Sequence, residues 1–340
     1  MNELVLGVVS FAVAAVMTLL FTPFLIKTME KRKIVGKDMN KLSRPLVPEM
    51  GGIGVFFGIS AGVMLALGVF RVISYFTGFS LDLPLLLAGM MTVLFVGFIG
   101  VFDDLIEWKN GIRKWQHALL PVFAALPMMV VIDYSFSKAI GLPFVGPVVV
   151  GTLYVLVLVP FAVTGASNAV NMLAGLNGLE AGLGAIISFS MLGALFMLPE
   201  GSSGKAEAII LMAATFGALF AFLKFNWVPA KIFGGDSLTL MTGASIAVVS
   251  IIAGIEKVGI MLFLLYFVEL FLKGKHKMQT ESFGIPQKDG TLLPDPRGGS
   301  FTHIIMGLGK FTEKKIVQII LGLQAAVSAL VLGLFYLNIL

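Results

Sequence analysis

The sequence predicts an all-α, polytopic integral membrane protein with about ten transmembrane helices and both termini on the non-cytoplasmic side. Hydrophobic residues make up 58% of the 340 positions and charged ones only 13%, which leaves too little polar surface for a water-soluble chain of this size. The apolar residues also fall into runs of about 20, the length at which a helix crosses a bilayer core about 30 Å thick. In order, these runs lie near 4–26, 50–76, 84–102, 118–133, 147–166, 182–199, 206–223, 237–255, 257–272 and 316–338. The shortest is 118–133, and the two runs flanking Glu256-Lys257 are nearly fused. Backbone groups in hydrocarbon must bond internally, so each run is expected to be a helix. Gly51-Gly52-Ile53-Gly54 suits close helix packing.

Orientation follows from the basic residues. Taking the connections alternately, the odd-numbered ones hold 20 of the 24 Lys and Arg. Positive charge marks the cytoplasmic side, so those five connections, about 27–49, 103–117, 167–181, 224–236 and 273–315, are expected there. The first run lacks a basic leader and is followed by a basic stretch, so it is expected to be a retained span rather than a cleaved signal peptide. Placed this way, the net charge of +5 is explained by topology and implies no nucleic-acid partner. The chain has no cysteine, which excludes disulfides, thiolate nucleophiles and cysteine metal sites. With no internal repeat or low-complexity tract, residues 1–340 are expected to form one domain.

Polar residues that are not merely basic gather in the same five connections. A transporter more often carries ionisable groups mid-span, so clustering at one face favours chemistry on a soluble substrate. Asp103-Asp104 ends the apolar run Gly97-Phe98-Ile99-Gly100-Val101-Phe102. Adjacent carboxylates there suit either Mg²⁺, which takes hard oxygen ligands, or a solvated helix end. Asn168 and Asn171 are one helical turn apart and share a face, and Asn177-Gly178 is a turn signal before Glu180. Three amides in an apolar setting need partners; helix capping accounts for one more easily than for three. Phe233-Gly234-Gly235-Asp236-Ser237 precedes a span. The Gly-Gly turn lets backbone approach an anion at a helix start, and Asp236 is either an N-cap or a metal ligand. Phe233 is either core or a stacking platform. The 273–315 connection is long enough to be functional, and its Arg297 and His303 suit a pyrophosphate as well as a solvated loop.

Taken together, the ordered motifs resemble the polyprenyl-phosphate N-acetylhexosamine-1-phosphate transferase family (glycosyltransferase family 4). The motifs are Asp38-Met39-Asn40-Lys41 with Pro48-Glu49-Met50-Gly51-Gly52, the run to Asp103-Asp104, Asn168 to Gly182, and Phe225-Asn226 to Asp236. The Asn168 to Gly182 run is most similar to the dolichyl-phosphate GlcNAc-1-phosphotransferase branch, and the mixture of features looks archaeal. The resemblance implies a membrane enzyme, with its active site on the cytoplasmic face, that moves GlcNAc-1-phosphate or a related sugar phosphate from a UDP-sugar to a polyprenyl or dolichyl phosphate, releasing UMP. By resemblance, Asp236 and Asn171 hold Mg²⁺, with Mn²⁺ as the alternative, and Asp103 and Asp104 line the lipid-phosphate side. Phe233 and Asn177 take the uracil, Glu49 lies near the nucleotide sugar, and Asn168 and Glu180 belong to the same substrate-binding set.

Two departures bear on the site. The family has a Lys before the fourth span where this chain has His117, with Lys114 one turn earlier; either is expected to neutralise a phosphate, His117 only in part at neutral pH. The sugar-recognition loop is also altered, so Arg297 and His303 are expected to stand in for the family's basic cluster. Direct attack by the lipid phosphate is the expected chemistry, an aspartyl-phosphate on Asp103 or Asp104 its rival. A secondary transporter is the alternative function, and a homodimer is the assembly left open.

Overall fold

The computed structural model describes residues 1–107, 114–132, 139–142 and 146–340. Among them the helices are α1 Asn2–Arg32, α2 Gly52–Thr77, α3 Leu83–Glu107, α4 Lys114–Ala124, α5 Leu126–Val131, α6 Val159–Met172, α7 Leu179–Met197, α8 Lys205–Asn226, α9 Asp236–Ile252, α10 Glu256–Leu262, α11 Leu264–Lys275, α12 Phe301–Gly307 and α13 Glu313–Tyr336. A π turn at Tyr154–Leu158 leads into α6. Seven of these segments are long and apolar enough to cross a membrane: α1, α2, Leu83–Leu105 of α3, Tyr154–Met172, α7, α8 and α13. The apolar runs at 118–133, 237–255 and 257–272 hold shorter helices, two of the runs being split into α4–α5 and α10–α11.

The expectation of an all-α fold holds for most of the apolar runs but not for the connections, and the 147–166 run opens in a strand. Three small antiparallel sheets lie between the helices: β1 Val35–Lys37 with β2 Leu46–Pro48, β3 Ala139–Leu142 with β4 Gly146–Val149, and β5 Ile285–Pro286 with β6 Thr291–Leu293 and β7 Phe311–Thr312. Register in the first sheet pairs Val35 with Pro48 and Lys37 with Leu46. Connections that return against a protein surface must still pair their backbone groups, and short ladders do so.

α9 is the centre of the bundle. It packs against α2, α3, α6, α7, α8 and α10, and every residue from Ser237 to Ile252 is buried. A helix that is apolar all round belongs in such a position. Its start is wedged between neighbours: a Cβ on Gly100 of α3 would stand 2.5 Å from Ser237 Cα, so only glycine lets α3 and α9 touch there. Where the 257–272 run breaks between α10 and α11, the Gln324 side-chain amide of α13 donates to the Leu262 carbonyl at 3.1 Å. That bond satisfies a backbone acceptor the break would otherwise strand in an apolar setting.

Helices also run further than the polar connections suggest. α3 continues through Asp103 and Asp104, and α6 continues through Asn168 and Asn171 to Met172. These side chains are therefore fixed to rigid elements rather than to loops, which holds them more precisely.

Candidate functional site

Hydrogen bonds join all five polar connections, and the joining begins at the start of α9. Gly235 has φ 74° and is the N-cap of α9, a conformation that favours glycine. Both carboxylate oxygens of Asp104 face this helix start. Oδ1 accepts from the Asp236 N–H at 2.8 Å, and Oδ2 accepts from the Ser237 N–H at 3.2 Å and the Ser237 hydroxyl at 2.9 Å. Asp104 is thus an N-cap supplied from another helix, matching the positive end of the α9 dipole. This corrects two expectations. Asp236 is the first helical residue of α9 rather than its cap, and the amides expected to await an anion are occupied by Asp104.

Asp236 is half-buried and meets α6: the Asn171 side-chain amide donates to Asp236 Oδ1 at 3.0 Å. Asn171, Asp236 and Asp104 therefore form one chain of contacts across α6, α9 and α3. Asn168, one turn before Asn171, donates its side-chain amide to the Thr164 carbonyl at 2.8 Å. Asp103 follows the next face of α3 and is buried. Lys114 and His117 belong to α4, and their side chains lie outside the described residues.

The first connection is laced to the turn before α9. Gly51 and Gly52 donate backbone N–H groups to the carbonyls of Phe233 and Gly234, both at 2.8 Å, and Phe233 N–H donates to the Pro48 carbonyl at 2.8 Å. The backbone of Phe233 is strapped down while its side chain remains half-buried. Glu49 sits in the same strap, half-buried over Gly36, and burial raises its carboxyl above the usual range.

A second polar cluster lies in the turn after α6. The Asn177 side-chain amide donates to Asp38 Oδ2 at 3.0 Å, and its backbone N–H donates to Glu313 Oε1 at 2.8 Å. Lys41 forms an ion pair with the other Glu313 oxygen. Asn40 donates to the Gly175 carbonyl at 2.7 Å and accepts from the Gly284 N–H at 3.0 Å. Glu180 Oε1 accepts from the Gly175 N–H at 2.6 Å. Asn177 is only 4% exposed, and in this arrangement its amide and backbone N–H brace the turn. Glu180 likewise bonds the backbone of that turn.

The last connection departs further from expectation. Arg297 is exposed and forks onto Asp295, with contacts of 3.1 and 2.8 Å, which hold the Asp295 carboxyl below the usual carboxylate range. Its bidentate donors are spent within its own loop. His303 is buried, one ring nitrogen bonding the Phe283 carbonyl at 2.9 Å, so it shapes the loop instead of facing solvent. The residue that organises this loop is Glu269 on α11, fully buried, which sequence reasoning missed. It accepts from the Phe301 N–H at 2.6 Å and from the Ser300 hydroxyl at 3.0 Å, and Lys273 stands 3.4 Å away. The signal was a lone carboxylate within an apolar run, which is costly unless paired.

A metal fits the donors present. One carboxylate and one amide oxygen, from Asp236 and Asn171, are the hard ligands Mg²⁺ takes when phosphates and waters complete its shell. No group of three or more His, Asp or Glu suited to a metal occurs among the described residues, so an all-protein cage is not what these residues build.

The sequence is similar to known proteins. The sequence pattern described as glycosyl transferase family 4 matches residues 86–254, which include Asp103, Asp104, Asn171, Phe233 and Asp236. The chain is 36% identical over 320 residues to a protein of Saccharolobus solfataricus bearing the provisional name UDP-N-acetylglucosamine–dolichyl-phosphate N-acetylglucosaminephosphotransferase, covering 92% of each. A Sulfolobus acidocaldarius protein of the same provisional name is 35% identical over 316 residues, 93% of this chain and 92% of that one. The phospho-N-acetylmuramoyl-pentapeptide-transferase of Shouchella clausii is 35% identical over 260 residues, 73% of this chain and 74% of that one.

Proposed function

The chain is a multi-pass membrane member of glycosyl transferase family 4, and from that premise we propose that it transfers GlcNAc-1-phosphate from UDP-GlcNAc to a dolichyl or other polyprenyl phosphate, releasing UMP. The observation that carries this reading is the contact chain Asn171–Asp236–Asp104, which brings three separate helices to one half-buried point. The relatives' names supply the substrates. The basic residues of the odd connections support a cytoplasmic location for this point, about ten spans, and termini on the opposite side.

In the proposed reaction a lipid-phosphate oxygen attacks the β-phosphorus of the UDP-sugar. A new P–O bond forms there, the β-phosphorus bond to the bridging oxygen breaks, and UMP leaves with that oxygen and the bonding electrons. The sugar C1–O bond is untouched, so anomeric configuration is retained. A phosphate monoester is largely dianionic at neutral pH, so the nucleophile needs little help from a base. The protein's task is then to position two anions and offset their repulsion. Asp236 and Asn171 are the residues that would hold Mg²⁺ or Mn²⁺, which supplies charge neutralisation when bound. Asp104 holds the start of α9, and hence Asp236, in place. Phe233, with its backbone strapped between Pro48 and Gly51, presents a half-buried ring suited to stacking a base.

The test is Asp236→Asn, assayed as UMP release from UDP-GlcNAc with dolichyl phosphate and Mg²⁺. Turnover should fall by about 100-fold or more, with an unchanged elution profile in detergent. Retained turnover would remove Asp236 from the site.

A further inference from the structure

Three largely buried contacts meet where the 276–303 loop passes the end of α6. Glu269 bonds Ser300 and the Phe301 N–H, and so caps α12 from outside. It also lies 3.4 Å from Lys273 Nζ and 3.4 Å from the Ser282 hydroxyl. Lys273 in turn donates to the Met172 carbonyl at 2.5 Å, and Ser282 reaches the same carbonyl at 3.4 Å. Met172 is the last residue of α6 and follows Asn171 directly. A cation suits a helix C-terminus, and no side-chain or backbone cap on α6 itself replaces it among the described residues.

Such a buried pair is more than loop stiffening because of what stands at each end. On one side Thr302 donates to the Ser282 carbonyl at 2.8 Å, and the Phe283 ring packs on Gly175. On the other side the α6 terminus carries the amide that meets Asp236. We propose that Glu269 and Lys273 are positioning residues: they tie the 276–303 loop to the end of α6 and thereby hold Asn171 against Asp236. The proposal rests on the transferase reading for its effect on turnover, but not for its effect on the α6 terminus.

Five variants test it: Lys273→Met, Lys273→Arg, the isosteric Glu269→Gln, Asn171→Ala, and Lys273→Met combined with Asn171→Ala. Lys273→Met should lower kcat for UMP release about 10- to 100-fold, the usual cost of losing a partner behind a metal-ligating side chain. KM for UDP-GlcNAc should stay within about threefold, since a positioning loss falls on kcat. Lys273→Arg should recover most of the rate. Added to Asn171→Ala, Lys273→Met should cost nothing further, because both act through one amide. Independently of catalysis, hydrogen exchange at residues 170–176 should speed up in Lys273→Met and in Glu269→Gln. Losses that multiply in the double variant, or unchanged exchange in either single variant, would overturn the proposal. If the wild-type protein releases no UMP, the substrate reading fails while the exchange measurement still decides this one.

Discussion

Two polar clusters sit near one another at the same end of the bundle, and they use similar residues differently. Around Asn177, carboxylates and amides satisfy each other: Asp38, Glu313, Lys41 and Asn40 form a buried brace between the first connection, the turn after α6 and the start of α13. Around Asp236, Asp104 is consumed by the α9 helix start while Asp236 and Asn171 remain half-buried. Burial separates the roles. A saturated, buried network specifies one arrangement of the chain, whereas a half-buried carboxylate held by rigid helices can still meet a soluble ligand.

The comparison predicts opposite signatures for two acid-to-amide changes. Asp236→Asn should cost about two orders of magnitude in turnover while moving the thermal midpoint little. Glu313→Gln should destabilise the protein by about 2 kcal/mol, because Lys41 loses the nearer of its two counter-ions, keeping only Asp38 at 4.0 Å, while the turnover of molecules that remain folded changes far less. Thermal unfolding in detergent alongside UMP release separates the two. Matching signatures would erase the distinction between brace and site.

Glu49 sharpens the boundary between the clusters, with a smaller effect. Burial raises its carboxyl, so its stabilising contribution is full below the usual carboxylate pKa and is lost as pH rises through the raised value. Glu49→Gln should flatten the dependence of the thermal midpoint on pH, gaining relative to wild type as pH increases toward neutrality. A midpoint difference that shrinks with rising pH would reverse the assignment. The smallest effect is expected at Arg297. Its guanidinium is exposed and engaged with Asp295, and surface pairs contribute little. Arg297→Ala should change KM for UDP-GlcNAc less than about fivefold; a larger rise would place this side chain on the substrate.

Legibility in the sequence tracked the range of the interaction. Asn168 and Asn171 share a helix face because three residues make about one turn. Gly234-Gly235 before Asp236 marked the start of α9. Both are local facts, and both helices stand where those signals lie. Asp104 capping a helix more than 130 residues later, Asn177 locked between Asp38 and Glu313, and Arg297 turned onto Asp295 leave no local trace. Adjacent carboxylates look the same whether they await a metal or cap a distant helix. Glu269 was visible as a charge in an apolar run, but its partners Ser300 and Phe301 were not.

By itself, then, the sequence determined that this chain is mostly helical and bound for a membrane, and which stretches carry its polar chemistry. Apolar run length and the gathering of charge in the connections are set residue by residue, so composition and order suffice to state them. Only the tertiary structure decided which polar groups are spent and which stay within reach. Satisfying a buried carboxylate takes donors from remote parts of the chain, and their arrival depends on how the helices pack around α9.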